Sequence, residues 1–116
     1  MTEDCIFCRI ISGEIPAQIL YRDEYVTVIP DARPAANIHL LILSNEHYPM
    51  LEDFPTEITG LLAAIYRCVR QLALENNLSE AGYRLILNNG KAGGQTIGHF
   101  HLHLLGGGPL PKFIHG

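Results

Sequence analysis

The chain has 116 residues, 47% apolar and 17% charged, which bounds it to one globular domain able to bury a modest core. A formal net charge of −4 gives no sign of sequence-independent nucleic-acid binding, although loops and helix ends can still hold a small nucleotide. No apolar run approaches the ~20 residues that span a bilayer, and the acidic start Met1-Thr2-Glu3-Asp4 lacks the features of a signal peptide, so the expectation is a cytoplasmic protein without a membrane partner.

In chain order, Cys5 to Ser12 predicts a short helix stopped at Gly13, a residue suited to the left-handed conformation. Within it Cys5-x-x-Cys8 reads, in a reducing compartment, as metal-binding or redox-active rather than as a structural disulfide. Ile19 to Arg22 and Tyr25 to Ile29 predict two strands joined by Asp23-Glu24. Pro30-Asp31-Ala32-Arg33-Pro34 interrupts them, because neither proline donates to a sheet ladder. Ile38 to Leu43 predicts an apolar strand carrying His39. From Thr56 to Asn76 the spacing is helical, with Ile58, Leu61, Leu62, Ile65, Val69 and Leu72 on one stripe. Cys68 lies among these apolar residues and reads as a small buried hydrophobe. Tyr83 to Asn89 and His99 to Leu105 predict the last two strands, Gly106-Gly107-Gly108-Pro109 ends the sheet, and Leu110 to Gly116 forms an apolar tail. The sum is an α+β domain: a five-stranded, mostly antiparallel sheet with one long and one short helix.

Half of the six histidines fall within five residues, at positions 99, 101 and 103. On a strand, alternate side chains share a face, so these three would line one surface while Phe100, Leu102 and Leu104 enter a core. Gly93, Gly94 and Gly98 just before them let the backbone approach a ligand closely. Three stacked imidazoles are hard to motivate structurally, because they repel when protonated. Metal ligation is one chemical use; attack by one imidazole on an electrophile such as phosphorus is another.

The segment His99-Phe100-His101-Leu102-His103-Leu104-Leu105, with Gly93-Gly94-Gln95-Thr96 before it, resembles the signature of the histidine triad (HIT) family. The stretches from Cys5 to Ile11, Gly13 to Pro16, Tyr21 to Asp31, and His39 to Leu43 are similar to corresponding family segments. The Hint-like branch, whose members hydrolyse purine nucleoside phosphoramidates, is the one most resembled. That resemblance implies a nucleotidyl-histidine intermediate on His101, with His103 on the phosphate and His39 completing the cluster. It implies that Asn88, Gln95 and Thr96 lie near the phosphate and leaving group, and that Asp31 holds the ribose hydroxyls, a task suited to an acceptor-only carboxylate. Ile6, Phe7 and Ile10 would wall the base pocket, with Pro30 and Ala32 flanking the ribose. Phe7 and Ile10 can equally be plain core, and Asp31 can equally cap the turn before Pro34.

Family members that bind structural zinc complete the cysteine pair with two histidines, whose counterparts here are His47 and His99. The alternative is free thiols and a surface His47. No organic cofactor is implied. The resemblance also implies a homodimer and a purine nucleotide as substrate, with hydrolysis or nucleotidyl transfer on dinucleoside polyphosphates as the alternative activity. A zinc-containing module that binds nucleotides without turnover is the alternative of another kind. The chain departs from the family pattern at Gly108, where relatives carry arginine, at Pro30 and Ala32, where they carry larger residues, and in having no tryptophan, a role Phe113 could fill in part.

Overall fold

The computed structural model describes residues 4–112. A short helix α1, Ile6–Ile11, precedes strands β1 (Tyr21–Arg22), β2 (Val26–Pro30) and β3 (Ile38–Ser44). Helix α2 (Thr59–Glu75) then leads to β4 (Arg84–Ile86) and β5 (His101–Gly106). Two single turns of 3-10 helix, Leu51–Asp53 and Lys91–Gly93, interrupt the connections and were not foreseen from the sequence. The strands form one sheet in the order β1-β2-β3-β5-β4, and every pairing is antiparallel.

Strand β3 is central and apolar almost throughout, because both faces of the sheet are covered there. On one face Val26, Val28, Leu40, Ile42 and Leu104 pack on Leu61, Ala64, Cys68, Val69 and Leu72 of α2. Each fully buried aliphatic side chain in that layer contributes about 1.5–3 kcal/mol from water exclusion. Burial pushes the Cys68 thiol up to about 12, so it behaves as the expected small hydrophobe. On the other face Ile29, Leu41 and Leu43 pack on Cys5, Phe7, Cys8 and Ile10, holding α1 against the sheet.

The elements are shorter than expected at most ends. Strand β1 keeps only two residues, although Leu20 N–H still donates to the Val28 carbonyl. Helix α2 starts at Thr59, three residues late, and Leu62 is 54% exposed rather than part of the buried stripe. The stripe runs instead through Leu61, Ala64, Cys68 and Leu72, where small Ala64 and Cys68 let the helix approach the sheet. Pro30 is the last residue of β2, opposite Leu40, and the next amide, that of Asp31, donates to the His39 carbonyl. The expectations for Phe113 and for the end of the apolar tail lie outside the described residues.

Candidate active site and metal centre

The largest departure from the expected strand pattern is at His99. Strand β5 begins at His101, so the three histidines do not share one strand. The backbone amides of His99 and Phe100 donate to the carbonyls of Ile97 and Tyr48 at 2.8 and 2.7 Å, which bends the chain just ahead of the sheet. That bend separates two centres that the sequence spacing runs together.

The first centre surrounds the His99 ring, which is fully buried. Its Nε2–H donates to the Ser44 carbonyl at 2.7 Å, which leaves the Nδ1 lone pair facing inward. Nδ1 lies 3.2 Å from Cys5 Sγ, 3.6 Å from Cys8 Sγ and 3.2 Å from His47 Nδ1, and Cys8 Sγ lies 3.2 Å from His47 Nδ1. In a tetrahedral zinc site, ligand distances near 2.0–2.3 Å put neighbouring N and S donors about 3.3–3.6 Å apart. The four donors, all within 4.8 Å of one another, therefore fit such an ion. Burial lowers the His99 pKa to about 4, keeping the imidazole in the neutral form that ligation requires. Burial also raises the Cys5 thiol, so a thiolate there needs a cation to form. Cys5 additionally caps α1, its Sγ accepting from the Cys8 amide. Proline-free local sequence and an N-cap at Cys5 place both thiols on one end of that helix.

The second centre is made by β5 and β3. His101 pairs with Leu43 and His103 with Leu41, so both imidazoles stand on the α1 face of the sheet, beside His39. His101 Nδ1 donates to the His99 carbonyl at 2.7 Å. With Nδ1 protonated, neutral His101 carries its lone pair on Nε2, the atom available to attack. The edge of Phe7 packs on His101, ring centroids 5.1 Å apart, and fixes its plane.

His103 is oriented by a chain of donors. The Ala35 amide donates to His39 Nδ1 at 2.9 Å, so the proton of neutral His39 sits on Nε2. That Nε2–H points at His103 Nδ1, 2.9 Å away, which leaves the His103 proton on its own Nε2. One neighbouring imidazole thus presents a lone pair and the other a hydrogen-bond donor. Burial lowers the His103 pKa, helped by repulsion from His101 and His39 and opposed by Asp31. Asp31 Oδ2 stands 3.4 Å from His39 Nε2, while Oδ1 accepts from the Arg33 amide and caps the turn. The turn cap expected of Asp31 is thus formed by Oδ1, while Oδ2 faces His39.

The remaining expected residues differ in exposure, and Thr96 and Ile6 line a cleft with Cys5 and His47 rather than with His101. Phe7 and Ile10 are buried in the α1 cluster, whereas Ile6 is 44% exposed. Pro30 and Asn88 are half-buried, and Ala32 and Thr96 are exposed. The Gln95 side chain is engaged within the protein, with Gly90, Pro49 and Ile97. Sequence reasoning missed the backbone partners that set the tautomers: the carbonyls of Ser44 and His99 and the amide of Ala35. No side-chain type could have announced them.

A model of the HIT domain matches residues 12–110 of the chain. The chain belongs to the HIT family. This HIT domain is 40% identical to the purine nucleoside phosphoramidase of Escherichia coli strain K12, over 99% of this chain and 98% of that protein. A histidine triad protein from Clostridium difficile superposes with a TM-score of 0.91 at 36% identity, covering 98% of this HIT chain and 99% of the other. A zinc-bound histidine triad family protein from Mycobacterium smegmatis superposes with a TM-score of 0.74 at 37% identity, covering 88% and 73% of the two chains.

Proposed function

We propose that this HIT domain hydrolyses purine nucleoside 5′-phosphoramidates through a nucleotidyl intermediate on His101. The observation that carries the reading is the 2.7 Å hydrogen bond from His101 Nδ1 to the His99 carbonyl. It holds the imidazole in the tautomer that attacks through Nε2. The E. coli relative's name, purine nucleoside phosphoramidase, supports the substrate class.

In the first step Nε2 forms a bond to the α-phosphorus and the P–N bond breaks, the departing amine taking a proton from solvent. The His101 ring is then cationic, and its Nδ1–H still faces a carbonyl dipole that stabilises the positive charge. His103 Nε2–H meets the charge developing on the phosphate oxygens. In the second step water attacks phosphorus and gives up a proton to solvent, the phosphorus–His101 bond breaks with its electron pair returning to Nε2, and the nucleoside monophosphate leaves. Thr96, with its exposed hydroxyl, serves the leaving group, and Asn88 the phosphate. Asp31 accepts from the ribose hydroxyls. Pro30 and Ala32 flank the ribose, and the exposed side chain of Ile6 and the edge of Phe7 meet the base.

Cys5, Cys8, His47 and His99 hold a structural zinc ion in this reading, which would supply a closed cross-link between α1 and the chain entering β5. A second copy of the chain covers the groove lined by Tyr66, Val69, Arg70, Leu74, Ser79 and Tyr83, next to the edge strand β4.

The test is turnover of adenosine 5′-phosphoramidate by the parent and by His101→Ala. Rapid release of AMP that the variant loses by at least ~10³-fold supports the assignment. A parent that is slow on this substrate but fast on dinucleoside polyphosphates would move the activity to the alternative substrate. Tight nucleotide binding with no turnover of either would leave a binding module.

A further inference from the structure

Gln95 lies in the family signature beside Thr96, and the resemblance places it near the leaving group. Its hydrogen bonds say otherwise. A side-chain amide offers two N–H donors and one acceptor oxygen. Here Oε1 accepts from the Gly90 amide at 2.8 Å, while Nε2 donates to the carbonyls of Pro49 at 2.6 Å and Ile97 at 2.9 Å. Both donors are occupied by backbone carbonyls within the protein. The Gln95 amide in turn donates to the Gly90 carbonyl at 3.1 Å, so residues 90 and 95 exchange two bonds and close the loop between them.

We infer that Gln95 is a positioning residue, a three-way latch that holds Thr96 for the reaction without touching substrate. The inference rests on the proposed phosphoramidase reading for what Thr96 does, but the latch itself is a property of the loop. The bond from Nε2 to Ile97 spans Thr96 and fixes its backbone between two restrained neighbours. Thr96 is thereby presented outward, on a cleft of about 470 Å³ that it shares with Cys5, Ile6, His47 and Gly98. The bond to Pro49 ties this loop to the segment that follows His47. Two further ties reinforce that seam. The Leu51 amide donates to Asn89 Oδ1 at 2.8 Å, and the Phe100 amide donates to the Tyr48 carbonyl at 2.7 Å. Gly90 and Gly94 take positive φ values of 79° and 87°, so the loop follows a path that most residues resist and that needs an internal brace.

The test compares Gln95→Ala and Gln95→Met with the parent, and Gln95→Met in a Thr96→Ala background, on adenosine 5′-phosphoramidate. Methionine fills much of the same space without the three hydrogen bonds, which guards against a variant that simply fails to pack. A latch predicts a kcat loss of about 10–100-fold in both variants, the cost of a small misplacement of a reacting partner. Because it acts only through Thr96, it predicts no further loss when Gln95→Met is added to Thr96→Ala, and a KM within about twofold of the parent. Hydrogen exchange at the Gly90 amide, protected in the parent by Gln95 Oε1, should quicken by at least ~10-fold in both variants. A further loss from Gln95→Met in the Thr96→Ala background would give Gln95 a contact of its own and overturn the latch. So would an unchanged kcat or an unchanged Gly90 exchange rate. An inactive parent would sink the phosphoramidase reading, while the Gly90 comparison would still decide whether the latch exists.

Discussion

The orientation of His103 depends on which atoms replace the His39 ring. Asparagine places its Oδ1 near the position of a histidine Nδ1, and glutamine places its Nε2 near that of a histidine Nε2. His39→Asn therefore keeps an acceptor for the Ala35 amide but leaves His103 Nδ1 without its donor at 2.9 Å. His39→Gln does the reverse. The lost bond is worth about 1–1.5 kcal/mol net, roughly a tenfold bias in the His103 tautomer. Whenever His103 protonates Nδ1 instead, its Nε2 faces the phosphate as a lone pair, and losing one such donor costs about 10²–10³ in rate. The competent fraction cannot fall by more than the lost bias, so His39→Asn should lower kcat on adenosine 5′-phosphoramidate by up to about tenfold, and His39→Gln by less. Both variants remove the imidazole near Asp31, so any shared change in ribose binding cancels in their ratio. Steady-state rates at one pH suffice. Equal losses in the two variants, or the larger loss in His39→Gln, would refute the donor chain from Ala35 to His103.

The metal centre should show in stability. Chelation at pH 7 should lower the unfolding midpoint of the parent and leave that of Cys8→Ser nearly unmoved; an indifferent parent would speak against a bound ion. In the metal-free protein His99 stays neutral to about pH 4, whereas an unfolded chain takes up its proton near 6.5. The folded pKa is the lower one, so this group costs nothing above pH 6.5 and removes about 2 kcal/mol by pH 5. Urea unfolding of chelated parent and His99→Asn across that range should show a steeper fall in the parent; parallel curves would contradict it. Gly107 has a φ of 87°, and an added Cβ would meet Ile38 Cγ1 at 3.0 Å and Asn37 Cβ at 3.1 Å. Gly107→Ala should therefore cost about 1–3 kcal/mol in the same assay, and a neutral result would show that the turn after β5 can relax.

Much of this was legible in the chain. The apolar run from Ile38, the helical stripe after Thr59 and the alternation in β5 each follow from side-chain type and period. The four metal-ligating candidates converge as the resemblance implies, because histidine and cysteine advertise their chemistry. What stayed hidden was carried by the backbone. The alternation of positions 99, 101 and 103 matches a strand whether or not it starts at His99, and only the amide bonds to Ile97 and Tyr48 exclude His99 from it. The tautomers of His101 and His39 rest on a carbonyl and an amide that every residue possesses. Leu62 belongs to the apolar spacing, yet 54% of it is exposed, since period alone does not say how wide the covered stripe will be.

His99 gives its ring to one centre and its carbonyl to the other. Only the ring can be changed by a point substitution. A lineage that replaces the residue at 99 loses one of the four donors yet keeps the acceptor that selects the His101 tautomer, provided the bend survives. Conversely, a change at 101 leaves the four donors intact. The two centres are neighbours in space but independent under mutation, so variants can lose the four-donor cluster and the His101 imidazole separately, in either order.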